Sequence, residues 1–197
     1  PASIDNDIFG TDETIGYDTA LNTAVDAIDK IRDTATSHDR IFVVEIMGRE
    51  HGFLTIDVGL AAGCEFVVVP EIKLNVKAIA EELKKGKEKG KTSEIIAFAE
   101  GAGSSKDFAD KIADITGLEV RVTTLGYIQR GGKPTARTRI LASKFGNLAV
   151  ELLYAGKSNL LVCIKDGEII SSPINKTIGH EKKFNKEQYN LIRNLSL

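Results

Sequence analysis

Asp5 and Asp7 stand two residues apart in the opening run Ser3-Ile4-Asp5-Asn6-Asp7. Such a carboxylate pair can take a proton from an attacking hydroxyl or hold a metal ion beside a phosphate. Arginines recur in two further segments, Met47-Gly48-Arg49 and Gly126-Tyr127-Ile128-Gln129-Arg130-Gly131-Gly132. A guanidinium matches phosphate because its planar fork donates two parallel hydrogen bonds. Glycines beside it let backbone N–H groups come close to an anion. Glu100, followed by Gly101, adds an acceptor for hydroxyl groups. Each piece also has a plain structural account: Asp-Asn-Asp as a turn, a lone arginine as a surface ion pair, Gly131-Gly132-Lys133-Pro134 as a turn.

The elements that must position these residues alternate between strands and helices. Leu21, Ala24, Val25, Ile28 and Ile31 recur at helical spacing, which predicts an amphipathic helix over about residues 18–34. Ile41–Ile46 reads as a strand ending before Gly48, and Leu54–Ala62 as a short helix. Phe66–Val69 is a strand stopped by Pro70. Val76, Ile79, Ala80 and Leu83 mark a helix, and Ile95–Ala99 a strand leading into Glu100. Ser105 is expected to cap a helix carrying Phe108, Ile112 and Ile115 that stops at Gly117. Val120 and Val122 mark another strand, and Ile140 to Leu153 a long helix. Asp166-Gly167 between two apolar runs signals a hairpin, and Tyr189, Ile192 and Leu195 a last short helix. Strands that are apolar throughout, separated by helices, predict an α/β fold with a mostly parallel sheet and helices on both faces. Ligands then sit at the carboxyl ends of the strands, where the arginine, glutamate and glycine segments fall.

Several functions are excluded. With 26 basic against 28 acidic residues and a net charge of -2, the chain is not built for bulk nucleic-acid or membrane-surface binding. No apolar run nears the ~20 residues of a membrane span. Cys64 and Cys163 lie in apolar runs, as reduced core residues of a cytoplasmic protein do. His38, His51 and His180 have no zinc-site spacing. The Asp5 run is not an EF-hand, because Gly16 stands where the bidentate glutamate belongs. Gly86-Lys87-Glu88-Lys89-Gly90-Lys91-Thr92 is not a P-loop: it has one residue too few between the glycines and precedes a strand. It is either a solvated helix end or a secondary anion site. Gly101-Ala102-Gly103 lacks the third glycine of a dinucleotide fingerprint.

Taken together, three segments resemble the 6-phosphofructokinases of the bacterial type. Pro1-Ala2-Ser3-Ile4-Asp5-Asn6-Asp7, with Gly10-Thr11-Asp12 behind it, resembles their catalytic loop. Met47-Gly48-Arg49 resembles the sugar-phosphate loop, and Leu125-Gly126-Tyr127-Ile128-Gln129-Arg130-Gly131-Gly132 a later phosphate loop. The order and spacing agree along the whole chain. The resemblance implies two Rossmann-like domains in three layers, the first incomplete because family chains begin upstream with a glycine-rich nucleotide segment. Residues 1–16 would be the catalytic-loop remainder of that domain and 17–128 the sugar-phosphate domain. Residues 129–179 would return to the first domain, and 180–197 would pack back on the second.

The resemblance also implies roles. Asp5 would be the general base on the 1-hydroxyl of fructose 6-phosphate, and Asp7 would help position Mg²⁺ and the phosphoryl group from ATP. Ser3 and Ile4 belong to the same loop, with Ser3 in place of the usual threonine. Arg49 would neutralise charge in transfer, Met47 and Gly48 line the sugar, Glu100 accept from its hydroxyls, and Arg130 hold the 6-phosphate. Arg40 and Arg121 would reach a neighbouring subunit's substrate, which implies a homo-oligomer, usually a tetramer. Arg32, Gly63, Glu65, Lys89, Lys91, Thr92 and Ser93 match an effector site for ADP or phosphoenolpyruvate, with Glu65 facing a second Mg²⁺. Tyr127 replaces a phosphate-contacting histidine, and Thr92 and Ser93 replace more basic residues. Ala2, where pyrophosphate users carry lysine, points to ATP as donor. The alternatives are a pyrophosphate-dependent enzyme, or a catalytically silent piece that binds sugar phosphate or effector.

Overall fold

The computed structural model describes residues 1–38, 40–91 and 93–196. Its centre is a four-stranded parallel sheet built from β3 (Ile41–Ile46), β4 (Phe66–Val68), β5 (Glu94–Ala99) and β6 (Val120–Thr124), in the spatial order β4-β5-β3-β6. The order follows from the connections. From β3 the chain moves outward through α2 (Phe53–Ala61) to β4, then returns through α3 (Val76–Glu88) to β5 and through α4 (Ser105–Thr116) to β6. Parallel crossovers keep one hand, so reversing direction along the sheet places the connecting helix on the opposite face.

The side-chain alternation of the strands records this. Val44, Ile46, Ile95, Ala97, Ala99 and Val67 face one core, filled from α1 (Tyr17–His38) by Ala20, Ala24 and Ile28 and from α2 by Leu54 and Val58. Val43, Ile96, Phe98 and Val68 face the other, filled by Ala80 and Leu83 of α3 and Phe108, Ala109 and Ile112 of α4. Every residue of β5 is buried, which is why the strand carries no polar alternation. The expected α/β, three-layer arrangement of helices over both faces is therefore present.

Helix ends are set locally. The Asn75 side chain accepts from Ala78 N at 3.1 Å, and Lys85 and Lys87 occupy the last turn of α3, where the macrodipole favours cations. The lysine-rich run thus opens on the C-terminal turn of α3, which ends at Glu88 with Lys89 as its cap. Gly117 closes α4 at φ 72°, as expected. The N-cap of α4 differs by one residue from the expectation. Ser104 caps it, accepting from Asp107 N at 3.1 Å, while Ser105 is buried and bonds Glu45 of β3. Of two adjacent serines, the one with extended backbone takes the cap.

Two smaller sheets flank the centre. β1 (Ala2–Ser3) pairs in parallel with β2 (Ile15–Gly16), and β7 (Leu160–Lys165) pairs with β8 (Glu168–Pro173) as the hairpin that Asp166-Gly167 signalled. The hairpin is tied to the loop after Asp7, because Asp12 N donates to Ile164 O at 2.8 Å and Asp166 N to Asp12 Oδ2 at 2.7 Å. The long helix α5 (Ala136–Tyr154) packs on both α1 and the hairpin. The final helix, α6 (Lys186–Leu195), lies against α2 and β4 and buries Ile192. Asp57 of α2 joins three elements, receiving the Tyr17 hydroxyl from α1 and the Gln188 amide from α6.

Gly59 marks the closest approach of α2 to the sheet, since a Cβ there would lie 2.3 Å from Val67 Cγ2. Alanine for glycine inside a helix normally stabilises by ~1 kcal/mol. Gly59→Ala should instead destabilise by about 1–3 kcal/mol in urea unfolding, because the branched Val67 cannot move aside. A gain in stability would contradict the packing of α2.

Candidate active site

β3 and β5 lie side by side, yet the chain leaves them in opposite directions along the sheet. Their carboxyl ends therefore border the crevice that parallel sheets use for ligands. The register pairs Ile46 with Ala99, so Met47 and Glu100 emerge as neighbours. Glu100 Oε1 accepts from Gly48 N at 3.0 Å and Arg49 N at 2.6 Å. Met47 N donates to Gln129 Oε1 at 2.9 Å. The three successive amides of the loop are thus held by two side chains from other strand ends.

Arg49 sits at φ 53°, a left-handed conformation that costs a non-glycine residue ~1 kcal/mol and that these contacts hold. Gly101 is required beneath it: a Cβ would meet Arg49 O at 2.2 Å. The effect is to aim the Arg49 side chain at Asp5, with Nε 3.3 Å from Oδ2.

The aspartate loop is braced from within. Asn6, at φ 53°, donates its amide to Asp12 O at 3.1 Å and accepts Thr14 N at 3.1 Å. Thr14 Oγ1 donates to Ser3 O at 2.6 Å, and Asp5 N donates to Ser3 Oγ at 3.0 Å. Asp5 is 7 % exposed. Burial pushes its carboxyl above the usual carboxylate range, the Asp7 charge adds to the rise, Arg49 opposes it, Glu100 adds again, and the Ser3 hydroxyl opposes. Desolvation outweighs the ion pair because Arg49 is 71 % exposed, so its charge is screened by water. Among the described residues no hydrogen bond engages the Asp7 carboxylate, and no cluster of three metal-ligating side chains exists. A hard cation there would take one protein oxygen and draw its other ligands from phosphate and water, the usual pattern for magnesium.

Ser3, Ile4, Asp5, Asp7, Met47, Gly48, Arg49 and Glu100 thus fall into one group. Glu100 differs from expectation in that one carboxylate oxygen is committed to the backbone. Tyr127 and Arg130 lie on a short 3-10 turn (Gly126–Gln129) and its cap, with the guanidinium 5.1 Å from the Tyr127 ring centre; both are exposed. Gln129, between them, is 1 % exposed and ties this turn to Met47. Among the strand-end residues, Gln129 is the one whose role only the fold shows. Its only signal is a polar residue inside the Gly126–Gly132 segment.

Arg40 and Arg121 are not in this group. They lie at the amino ends of β3 and β6, ~20 Å from the Met47 loop by strand rise, both paired with Glu119; Arg40 Nε is 2.7 Å from Glu119 Oε2. The effector candidates also cluster at the amino ends. Arg32 donates to Ala62 O and Gly63 O, each at 2.8 Å, and lies 3.6 Å from Glu65 Oε1. Glu65 Oε2 accepts Ile95 N at 2.6 Å, and Lys91 Nζ donates to Ser196 O at 2.7 Å. Gly63, Glu65 and Lys91 line a cavity of about 120 Å³, and Lys89 lines an adjoining one with Glu94. Ser93 lines a separate crevice with Arg40. Thr92 lies outside the described residues. Burial pushes the Glu94 carboxyl up to about 7, Glu65 adds to this, and Lys91 and Lys87 oppose it. Cys64 and Cys163 are free and buried, and burial pushes the Cys64 thiol up to about 12. No helix among the described residues is long and apolar enough to cross a membrane.

A family model described as Phosphofructokinase matches residues 1–153. The chain belongs to the phosphofructokinase family. Among its relatives, a protein from Shouchella clausii (strain KSM-K16) named ATP-dependent 6-phosphofructokinase is 50% identical over 197 residues, which is 100% of this chain and 62% of that one. One of the same name from Bacillus thuringiensis (strain Al Hakam) is 48% identical with the same coverage. The chain spans 62% of the length of these curated relatives. Among solved structures, phosphofructokinase from Saccharomyces cerevisiae superposes with a TM-score of 0.85 at 32% identity, over 98% of this chain and 26% of that one. A pyrophosphate-dependent phosphofructokinase from Marinobacter aquaeolei shares the fold, with a TM-score of 0.81 at 24% identity over 95% of this chain and 53% of its own.

Gln129→Leu leaves the buried Met47 N–H without an acceptor, so stability should fall by about 1–3 kcal/mol and hydrogen exchange at Met47 should accelerate; unchanged exchange would contradict the contact. Glu94 has a folded pKa raised above its unfolded value, so its ionisation opposes folding as pH climbs from the ordinary carboxylate range to about 7. Glu94→Gln should therefore be neutral near pH 4 and stabilising, on the order of 1–3 kcal/mol, above pH 7 in denaturant titrations. Equal effects at both pH values would refute it.

Proposed function

We propose that the whole protein transfers a phosphoryl group from ATP to the 1-hydroxyl of fructose 6-phosphate, giving fructose 1,6-bisphosphate and ADP, as a glycolytic enzyme of the cytoplasm. The observation that carries this is the Asp5 carboxyl. It is buried, raised above the carboxylate range and 3.3 Å from Arg49, at the crevice between β3 and β5. A base works best when its pKa approaches the operating pH, and burial moves Asp5 in that direction.

Asp5 accepts the proton of the 1-hydroxyl as that oxygen attacks. Arg49, already beside Asp5, turns towards the charge that builds on the transferring group. Ser3 and Ile4 shape the loop and Asp7 orients the donor's phosphates. Met47 and Gly48 line the sugar, the uncommitted Glu100 oxygen accepts from its hydroxyls, and Arg130, with Tyr127, holds the 6-phosphate. Asp7 would hold Mg²⁺ together with the donor's phosphates, and the ion would supply neutralisation of their charge. The protein's contribution is mainly positioning and electrostatics.

Arg40 and Arg121, at the far end of the sheet, serve the substrate of a neighbouring subunit in a homo-oligomer, a tetramer by family precedent. Arg32, Gly63, Glu65, Lys89, Lys91, Thr92 and Ser93 would form an effector site for ADP or phosphoenolpyruvate, where Glu65 would hold a Mg²⁺. Residues 1–16 and 129–179 belong to the nucleotide domain, and 17–128 with 180–197 to the sugar-phosphate domain. The 48–50% identity to proteins named ATP-dependent, together with Ala2, favours ATP over pyrophosphate.

In the full-length protein, Asp5→Asn should lower kcat by about 10²–10⁴-fold while fructose 6-phosphate still binds; a near-normal rate would refute the base. Activity with pyrophosphate alone would overturn the donor. The acid limb of the kcat/KM profile should lie above the ordinary carboxylate range, because the protonated base is inactive. Asp7→Asn, removing a like charge, should move that limb to lower pH, and Arg49→Met should move it to higher pH. Shifts of the opposite sign would contradict the assignment.

A further inference from the structure

The segment from His180 onward carries no role in the proposed chemistry, yet it is fastened to the aspartate loop at three successive residues. The His180 ring packs on Phe9 with centroids 5.2 Å apart. Glu181 forms an antiparallel bridge with Ile8, the residue after Asp7. Lys182 Nζ donates to Asp12 O at 3.0 Å. That carbonyl is also the acceptor for the Asn6 amide, so one oxygen gathers a residue of the Asp5-Asn6-Asp7 loop and a residue more than 160 positions away.

Lys182 is half-buried. Its ammonium lies 5.8 Å from the Phe53 ring centre at the start of α2. Burial draws the pKa of its ammonium below the usual lysine value, and the Asp12, Asp57, Asp7 and Glu13 carboxylates oppose that by favouring its charge. A charge in that setting gains from a fixed geometry, since its alternative hydration is restricted. Beyond it the segment is anchored by Gln188 on Asp57 and by Ile192 in the core. Its position is therefore set by packing remote from the loop it touches.

We propose that Lys182 is a positioning residue for the aspartate loop: by holding the Asp12 carbonyl that Asn6 also grips, it fixes the left-handed turn at Asn6 and hence the directions of Asp5 and Asp7. The proposal rests on the phosphoryl-transfer function inferred above. Asn6 at φ 53° lies between the two carboxylates, so a change at its side chain swings both. Among the described residues Lys182 makes no hydrogen bond or ion pair with the Met47–Arg49 loop, Glu100 or Arg130, so the sugar side of the crevice is left in place by its removal.

The test uses the full-length protein with Lys182→Met, Lys182→Arg and Gln188→Ala. Lys182→Met keeps the stem and removes the donor; kcat for fructose 6-phosphate phosphorylation should fall about tenfold to a hundredfold while KM changes by no more than about twofold. Lys182→Arg, which keeps a donor and a charge, should recover most of the rate. Gln188→Ala loosens the same segment at its other anchor and should lower Tm without a comparable loss in kcat. Hydrogen exchange of residues 3–14 should rise in Lys182→Met, with 41–47 unchanged. A Lys182→Met enzyme with normal kcat and normal exchange in 3–14 would overturn the proposal, as would a loss of kcat that Lys182→Arg does not relieve. An unsubstituted protein with no phosphorylation of fructose 6-phosphate would instead sink the functional reading, and the exchange measurement would still decide whether Lys182 holds the loop.

Discussion

The Glu100 oxygen that accepts the amides of Gly48 and Arg49 is the contact on which the rest of the site depends. It exists because β3 and β5 pair in parallel with Ile46 opposite Ala99, so the residues after both strands emerge together. It holds Arg49 in a left-handed conformation, and from there the guanidinium reaches Asp5. The requirement extends to Gly101, where any side chain would strike the Arg49 carbonyl. A sheet register, one carboxylate and one missing Cβ thus decide where a positive charge stands relative to a buried negative one.

That charge pair shows two effects in competition. Arg49 alone would draw the Asp5 pKa down, as ion pairs do. Burial and the neighbouring Asp7 push it up, and they win because Arg49 is mostly in water whereas Asp5 is not. The outcome is a carboxylate more basic than usual but still beside a cation. Such a group suits taking a proton and then tolerating the charge that follows. The amino ends of the same strands hold a second group of charged side chains, Arg32, Glu65, Lys89 and Lys91, one sheet length away from the Asp5 group.

Much of this was legible in the sequence, for physical reasons. Apolar strands and helical spacings exposed the parallel sheet, and the rule that ligands gather at carboxyl strand ends singled out Asp5, Arg49, Glu100 and Arg130. Contacts that depend on pairing were not legible. Glu119 joins Arg40 and Arg121 only because β3 and β6 are neighbours. Gln129 is a polar residue in a short turn until the fold places Met47 N against it. Nothing in the sequence around Lys182 reveals that the chain end returns to Asp12. Ser105 was the expected cap of α4, but it bonds Glu45 of a neighbouring strand and Ser104 takes the cap.

The central claim is that burial, not the adjacent guanidinium, sets the protonation of Asp5. The most direct measurement is a carboxyl carbon NMR titration of Asp5 in the full-length protein, assigned with Asp5→Asn. A midpoint above the ordinary aspartate value of about 3.9 is predicted. A midpoint below that value would mean that the Arg49 ion pair dominates, and would contradict the account of Asp5 as a base raised by its surroundings.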